Sequence, residues 1–315
     1  MKVLNFGSLN IDYVYSLDHI VQRGETISSE SLDIFGGGKG LNQSVALARA
    51  GAEVYHAGAI GQDGEFLTEL LSEAGVKTEF VRRLDSVRTG NAIIQRDKDG
   101  DNCIILYGGA NQCIERTQVD EAISFFERGD YIVLQNEINE MAYIMEKAQE
   151  RGMKIVLNPS PMDEKLLSLP LSFVDLLLLN EVEACQLLEI SEKERSDAAS
   201  RGEELCRLLS DRFPRAMIVL TLGEKGSVCI DRRPESSRED KGRQTAVKQP
   251  IYRTRTVDTT AAGDTFTGYF VSGIMRGLSV RDAMDLAARA AAITVSRMGA
   301  APSIPALKQV MERKF

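Results

Sequence analysis

The 315-residue sequence predicts a doubly wound α/β fold, a mostly parallel sheet flanked by helices, together with a small antiparallel β lid. Two observations lead to this prediction. From residue 130 onward, short and continuously apolar runs alternate with helical patterns, as expected for parallel strands covered on both faces. Residues 11–34 instead alternate loosely between apolar and polar side chains, which is typical of a sheet with one exposed face.

Strands and helices follow one another in the middle of the chain, and Gly152 ends the first helical pattern. Repeated β-α-β units of this kind build a doubly wound sheet. The strands are predicted at 131–134, 154–157, 176–179 and 217–220, and the helices at 139–151, 181–188 and 201–213.

The lid is predicted from about residues 11–35 and 88–108. The runs 89–96 and 102–107 flank the sequence KDGD, and an Asp-Gly pair between two alternating runs indicates a hairpin. A small sheet with one apolar face needs a cover, so we interpret it as a lid or a dimerisation surface. Residues 1–315 are then expected to form one α/β domain carrying this lid.

Composition excludes several classes of protein. With 43% hydrophobic and 27% charged residues, the chain is expected to be folded, and its net charge of −8 argues against nucleic acid or an anionic membrane as a partner. Five cysteines without a CxxC pair and only two histidines make a zinc site or a histidine-based triad unexpected. Reduced thiols, and no apolar leader or membrane-spanning run, predict a cytoplasmic protein.

Two motifs each lead into a helical pattern. Residues 36–42 (GGGKGLN) precede a helix predicted at 43–50, where backbone N–H groups could approach a polar ligand, although a tight turn explains the glycines almost as well. Residues 258–266 (DTTAAGDTF) join a strand predicted at 252–257 to a helix predicted at 265–275. Ala262 and Gly263 would supply an anion hole and Asp264 a proton acceptor, or Asp264 is only the helix N-cap.

Two further motifs follow strand ends, which is where ligands bind in an open α/β sheet. Residues 180–183 (NEVE) hold an acidic pair suited to water-mediated Mg²⁺, or acids that favour a first helical turn. Residues 221–226 (TLGEKG) form a turn suited to a nucleotide, or a plain turn. For the insertion at 231–248, a solvated or partly disordered loop is favoured over a phosphate-binding loop.

Taken together and in this order, the motifs resemble the ribokinase (PfkB-type) family of carbohydrate kinases over nearly the whole chain. The early GGKGxN and the later AAGD carry most of this resemblance. The matching segments are GSLNID (7–12), GGKGLNQ (37–43), GQDG (61–64), GAN (109–111), LNP (157–159), NEVE (180–183), TLGEKG (221–226), DTTAAGDTF (258–266) and GAAPS (299–303).

The resemblance implies a role for each motif. Asp264 corresponds to the catalytic base, and Ala261, Ala262 and Gly263 correspond to the anion hole. The sugar ligands correspond to Asn10, Asp12, Gly38, Lys39, Gly40, Asn42 and Glu137. The ATP-binding residues correspond to Asn180, Thr221, Gly223, Gly226 and Gly263. Glu183 corresponds to the Mg²⁺-linked glutamate, and a K⁺ site corresponds to Asp258, Thr260, Thr294, Arg297, Gly299 and Ser303.

The resemblance therefore implies an ATP-dependent sugar kinase that needs Mg²⁺ and K⁺ and forms a homodimer through the β lid. D-ribose, phosphorylated on its primary hydroxyl to ribose 5-phosphate, is the favoured substrate. The polar side chains at positions 10, 12, 42 and 137 suit a small polyol better than a nucleoside. The alternatives are the same reaction on 2-deoxyribose, a ketohexose or a nucleoside, or a non-catalytic sugar sensor, which the presence of both Asp264 and Glu183 disfavours.

Overall fold

The computed structural model describes residues 1–99, 101–190, 198–232 and 246–315. Two sequence predictions fall on the remaining residues. The insertion predicted at 231–248 lies outside the described residues except at its two ends, and so does Gly100 in the turn of the predicted lid hairpin.

The described residues contain thirteen strands and nine α-helices. The strands are β1 (Lys2–Phe6), β2 (Asn10–Ser16), β3 (Ser31–Gly37), β4 (Glu53–Gly61), β5 (Lys77–Leu84), β6 (Gly90–Arg96), β7 (Asn102–Tyr107), β8 (Tyr131–Gln135), β9 (Lys154–Asn158), β10 (Leu176–Asn180), β11 (Met217–Thr221), β12 (Ser227–Ile230) and β13 (Val247–Gln249). The helices are α1 (Lys39–Arg49), α2 (Glu65–Glu73), α3 (Arg116–Ser124), α4 (Met141–Arg151), α5 (Glu181–Leu187), α6 (Gly202–Arg212), α7 (Ala262–Met275), α8 (Val280–Thr294) and α9 (Leu307–Glu312).

Nine strands form one large sheet in the order β13-β12-β11-β10-β9-β8-β1-β4-β5. Its strands run parallel from β11 to β5, and only the edge strands β12 and β13 pair antiparallel. Alternate strand residues enter two separate cores: Ile132 and Leu134 pack with α3 to α6, and Val133 packs with α1, α2, α7 and α8. The predicted parallel sheet covered by helices on both faces is confirmed.

Four strands form a second, smaller sheet in the order β3-β2-β6-β7, as predicted for the lid. The outer pairs are antiparallel, whereas the central strands β2 and β6 are parallel because a long stretch of chain joins them rather than a hairpin. One cross-strand row consists of Ile34, Tyr13, Ile93 and Ile105. Its isoleucines are exposed, and so are Ile104 and Leu106 on the other face, so the sheet presents an uncovered apolar surface.

The segment preceding the AAGD motif is not a strand, contrary to the prediction for 252–257. Its side chains pack against α8 and the end of the chain instead of against a neighbouring strand. The Tyr252 ring lies 4.5 Å from the Phe315 ring, centroid to centroid, and its hydroxyl donates to Asp285 of α8. Tyr252 therefore contacts a helix and the end of the chain rather than a neighbouring strand.

Helices α1 and α7 pack backbone against backbone. A Cβ at Gly268 of α7 would lie 2.8 Å from the Leu47 nitrogen of α1, which only glycine avoids. The Ser272 hydroxyl also donates to the Ala50 carbonyl at 3.1 Å. The two helices are thus held at a fixed, close separation.

The described residues contain no helix long and apolar enough to cross a membrane. None of the five cysteines, all of which lie in the described ranges, forms a disulfide, and three of them are buried.

His56 of β4 lies fully buried beneath α1. Its Nδ1 is 2.8 Å from the Ser44 hydroxyl, and its Nε2 is 3.2 Å from the Gly7 carbonyl oxygen. Burial lowers the pKa of His56 from 6.5 to about 4, and the contact with the Gly7 carbonyl opposes this only in part. The imidazole is therefore neutral in the folded protein at pH 7.

We expect the contribution of His56 to the free energy of unfolding to fall as the pH is lowered from 6.5 towards 4. In this window the unfolded chain protonates His56 and the folded protein does not, a difference of about 3 kcal/mol across the full interval. The pKa of His56 in the folded protein, followed by NMR between pH 7.5 and 4.5, measures this contribution. His19→Gln, which removes the exposed histidine, is the control and leaves the titration of His56 unchanged. A folded-state His56 that titrates near 6.5 would contradict the prediction.

Candidate active site

Asp264 lies in the first turn of α7, which begins at Ala262 rather than at the predicted Thr265. The N-cap is Ala261 with a left-handed φ of 61°, so the alternative that Asp264 is the N-cap is wrong. The Ala262 N–H donates to the Thr259 carbonyl at 3.3 Å, whereas the N–H groups of Gly263 and Asp264 have no partner in the described parts of the chain. A Cβ at Gly263 would meet nothing within 4 Å, so open space adjoins these donors.

The carboxylate of Asp264 is held by two amides from α1. Asn42 Nδ2 donates to Oδ2 at 3.1 Å, and Gln43 Nε2 donates to Oδ1 at 2.9 Å. Burial raises the pKa of Asp264, while the charge of Lys39 and the two amides oppose this rise and Glu137 adds to it. A recessed carboxylate with a raised pKa is a better proton acceptor than an exposed one.

The start of α1 differs from the prediction, because the helix begins at Lys39 and not at Gln43. Its first N–H groups are satisfied by distant residues: Lys39 N–H donates to Glu137 at 3.0 Å and Gly40 N–H to the Ser8 hydroxyl at 3.2 Å. Ser8 in turn donates to Glu137. A Cβ at Gly40 would lie 2.6 Å from the Ser8 carbonyl oxygen, so this position requires glycine.

The sugar-ligand candidates of β2 face the same region. The carboxylate of Asp12 lies against Gly37, and the Asn10 side-chain oxygen accepts from Asn111 Nδ2 at 2.7 Å. Burial raises the pKa of Asp12 to about 7; Glu137 contributes and Lys39 opposes. The structure thus groups Asp12, Lys39 and Glu137, with Lys39 Nζ 3.8 Å from Glu137 Oε1.

The nucleotide candidates lie at the carboxyl ends of adjacent strands, where Asn180 of β10 pairs with Thr221 of β11. Asn180 and Glu183 form a capping box: Asn180 Oδ1 accepts from the Glu183 N–H at 2.9 Å and Glu183 Oε2 from the Asn180 N–H at 3.0 Å. The turn that follows Thr221 contains Gly223 and Gly226, both with positive φ.

Lys39 is influenced by carboxylates from both groups of candidate residues, those for the sugar and those for the nucleotide. Burial lowers the pKa of Lys39, but the carboxylates of Glu137, Asp264, Glu183 and Asp12 outweigh this, so the pKa is raised. A charged lysine therefore lies within the field of four carboxylates.

The candidate K⁺ residues lie in two segments, 258–260 and 294–303, which a hydrogen bond between Gly299 and Asp258 joins. Asp258 accepts from Thr260 N–H and hydroxyl groups at 2.9 and 2.6 Å and from Gly299 N–H at 3.0 Å. The Thr294 carbonyl accepts from the Arg297 N–H, and the Ser303 hydroxyl donates to Ala300. Four backbone carbonyls receive no hydrogen bond within the described residues, those of Asp258, Thr260, Arg297 and Gly299. A set of unpaired oxygens suits a hard monovalent cation.

Histidine, cysteine and carboxylate ligands do not gather into a group of three or more within the described ranges. Glu183 keeps one carboxylate oxygen outside the capping box, which suits Mg²⁺ held through water better than a cage of protein ligands.

Three polar residues that contact the site, Ser8, Asn111 and Gln43, have no role that the sequence alone predicted. Asn111 joins the start of β2 to the turn at Gly109, and its Oδ1 accepts from the Leu9 N–H at 2.9 Å. Ser8 and Gln43 lie inside the GSLNID and GGKGLNQ motifs. The signal in the sequence that could have indicated their roles is the presence of polar residues inside motifs that are otherwise buried.

A family comparison decides the identity of this fold and site. The model for the pfkB family of carbohydrate kinases matches residues 1–307. The chain belongs to the pfkB family. It is therefore a phosphotransferase with an alcohol group as acceptor, as the resemblance implied, and not a non-catalytic sensor.

Individual members of the pfkB family are similar over the full length. The ribokinase of Staphylococcus aureus is 34% identical over 315 residues, which cover 98% of each chain. A crystal structure of ribokinase from Cryptococcus neoformans in complex with ADP has a TM-score of 0.84 and 35% identity and covers 99% of both chains. Arabidopsis thaliana ribokinase complexed with ribose and ATP has a TM-score of 0.78 and 28% identity, with 99% of this chain and 97% of that chain covered.

Proposed function

We propose that this chain transfers the γ-phosphoryl group of ATP to the primary hydroxyl of D-ribose, giving ribose 5-phosphate and ADP. One observation carries the proposal: the Asp264 carboxylate adjoins both the sugar-ligand candidate Asn42 and two N–H groups at the start of α7 that have no partner in the described ranges. The full-length similarity to ribokinases, one of them complexed with ribose and ATP, supports this choice of substrates.

The sugar occupies the region between β2 and the start of α1. Asp12, Lys39 and Glu137 offer charged groups to the hydroxyls, and Asn10, Gly38 and Gly40 line the same region. Asn42 Oδ1 is buried and has no partner among the described residues, so a sugar hydroxyl that donates to it satisfies an otherwise unpaired acceptor.

The reaction needs positioning and charge stabilisation more than covalent chemistry. The sugar hydroxyl gives its proton to Asp264 while its oxygen bonds to the γ-phosphorus, and the bond from that phosphorus to the bridging oxygen breaks to release ADP. The N–H groups of Gly263 and Asp264, with Ala261 and Ala262 beside them, face the charge that develops on the phosphoryl oxygens.

The ATP lies along Asn180 and the turn formed by Thr221, Gly223 and Gly226. Glu183 holds Mg²⁺ through water, and Mg²⁺, when bound, neutralises charge on the phosphate oxygens.

Release of ADP against a panel of sugars tests the proposal. The panel contains ribose, 2-deoxyribose, fructose and other hexoses, and a set of nucleosides, at fixed ATP, Mg²⁺ and K⁺. We expect the highest kcat/KM with ribose. A higher value with 2-deoxyribose, a ketohexose or a nucleoside would assign the chain to that substrate, and no turnover with any of them would overturn the proposal.

K⁺ binding by segments 258–260 and 294–303 predicts activation by this ion. The carbonyls of Asp258, Thr260, Thr294, Arg297 and Gly299, with Ser303, would hold K⁺ beside the turn that leads into α7. The rate should therefore rise with K⁺ far more than with Na⁺ at equal ionic strength. Initial rates in the two chlorides, with choline chloride as the balancing salt, measure this effect. Equal rates in K⁺ and Na⁺ would remove the cation site and leave the kinase assignment intact.

The small sheet is expected to pair with a second copy of this chain, because its exposed isoleucines and leucines form an apolar surface. Replacing Ile104 and Ile105, which point to opposite faces of β7, by lysine should convert a dimer into a monomer in light scattering. Met311→Lys, at another exposed apolar position, is the control and should leave the mass unchanged. A wild-type monomer at micromolar concentration would contradict the prediction.

A further inference from the structure

Behind Asp264, three amide side chains form a buried row that the reaction as described does not use. They are Gln43 of α1, Gln135 at the end of β8 and Asn5 of β1, and none of them has any solvent exposure. Only Gln43 contacts the carboxylate. None of the three can therefore touch the substrate.

The hydrogen bonds of this row start from the Gln135 amide, which donates to both of its neighbours. Gln135 Nε2 donates to Asn5 Oδ1 at 3.0 Å and to Gln43 Oε1 at 2.7 Å. Gln43 Nε2 then donates to Asp264 Oδ1 at 2.9 Å. Asn5 Nδ2 donates to the Gly40 carbonyl at 2.7 Å and the Ser44 hydroxyl at 2.8 Å, so its orientation is also determined.

This arrangement of amides leaves one acceptor oxygen, that of Gln135, without a partner among the described residues. Gln135 Oε1 is buried against Gly7. Turning the Gln135 amide around would place its oxygen against the oxygens of Asn5 and Gln43. Turning Gln43 around would present its oxygen to the Asp264 carboxylate. The row therefore has one consistent arrangement, and that arrangement delivers an N–H to Asp264.

We propose that Gln43 is a positioning residue that holds Oδ1 of Asp264 inward, so that Oδ2 takes the proton of the sugar hydroxyl, and that Gln135 fixes the Gln43 amide for this purpose. The inference rests on the proposed function, in which Asp264 is the base. Asn42 donates to Oδ2 of Asp264 from the side where the sugar is proposed to bind, whereas Gln43 donates to Oδ1 from the buried side.

Removing the Gln43 N–H should also change the titration of the carboxylate. The charged groups that face Asp264 are Lys39 of α1 and Glu137 after β8, and they remain in place. Burial raises the pKa of Asp264, and the donations from Gln43 and Asn42 lower it. Loss of one donor therefore shifts the pKa of Asp264 upward.

The experiment compares Gln43→Met with Gln118→Met. Gln118 is a second buried glutamine, and its Nε2 donates to two carbonyls, those of Gly58 and Phe80, away from Asp264. Both variants lose a buried amide and should lose stability to a similar degree. We expect only Gln43→Met to lower kcat, by about tenfold or more, with the sugar KM within about threefold, and to move the acid limb of the pH–rate profile upward.

Gln135→Met provides the second variant. It keeps the Gln43 side chain but removes the hydrogen bond from Gln135 that fixes the orientation of the Gln43 amide. We expect the same changes in kcat and pH profile with a smaller amplitude. If Gln43→Met and Gln135→Met both match Gln118→Met in kcat and in pH profile, the row is structural only and the proposal fails.

A measurement without turnover separates this inference from the proposed function. Carboxyl ¹³C NMR, with the Asp264 signal assigned by its loss in Asp264→Asn, reports the titration of that side chain directly. If no sugar is phosphorylated, the proposed function fails. An upward shift in Gln43→Met would then still support the positioning of Asp264, and an unchanged titration would overturn it.

Discussion

Asp264→Asn should lower kcat by at least about 100-fold while leaving the melting temperature and ATP affinity near those of the wild type. Asparagine has the same size but cannot accept a proton at neutral pH, and general-base catalysis typically supplies 10²–10⁴-fold. An acceptor that acts chiefly in the transition state affects kcat more than KM. Asn42 can turn its amide so that its unpaired Oδ1 accepts from the new side chain, which preserves stability.

Asp282→Asn is the matched control for this variant. Asp282 occupies the third position of α8, as Asp264 does in α7. Unlike Asp264, it is exposed, and its N–H donates to the side chain of the N-cap residue Ser279. It should keep the wild-type kcat, as measured by steady-state ADP release. A folded Asp264→Asn protein that retained most of its kcat would require another base.

Asp12→Ala should raise the sugar KM by on the order of 10- to 100-fold with little change in the KM for ATP. An unpaired sugar hydroxyl and the groups left unpaired around it account for about 1–3 kcal/mol. The pKa of Asp12, raised to about 7, adds a pH signature: the wild-type sugar KM should increase as the pH falls below 7 and the acceptor becomes protonated.

Asp33→Ala serves as the control for Asp12→Ala, since Asp33 is exposed on the neighbouring strand β3 of the same sheet. It should leave both KM values unchanged. Unchanged sugar kinetics in Asp12→Ala, or a pH-independent sugar KM between pH 6 and 8, would remove Asp12 from the sugar site.

Local pattern was sufficient for the elements that are apolar along their whole length. Four such strands lie within one residue of their predicted bounds: β8, β9, β10 and β11. A strand that is buried on both faces is continuously apolar, so its own residues are sufficient to predict it. The antiparallel runs on either side of residue 100 were also predicted, because an Asp-Gly pair between two such runs indicates a hairpin.

The errors arise where distant residues determine the local structure. Helix α1 begins four residues earlier than predicted because Glu137, which is 98 positions from Lys39, and Ser8 satisfy its first N–H groups. Helix α7 begins early because Ala261 adopts a left-handed φ. The proposed roles of Gln43 and Gln135 likewise could not be predicted from the sequence. They depend on the carboxylate of Asp264, which is more than 120 residues away from either glutamine.

The close packing of α1 on α7 has a consequence for redesign of substrate choice. Asn42 and Asp264 belong to these two helices, which approach each other at Gly268 too closely to slide. Asp12 lies outside the helix pair, on β2 of the small sheet. In the proposed function, substitutions along β2 should therefore alter the sugar KM while the positions of Asn42 and Asp264, and with them kcat, are retained.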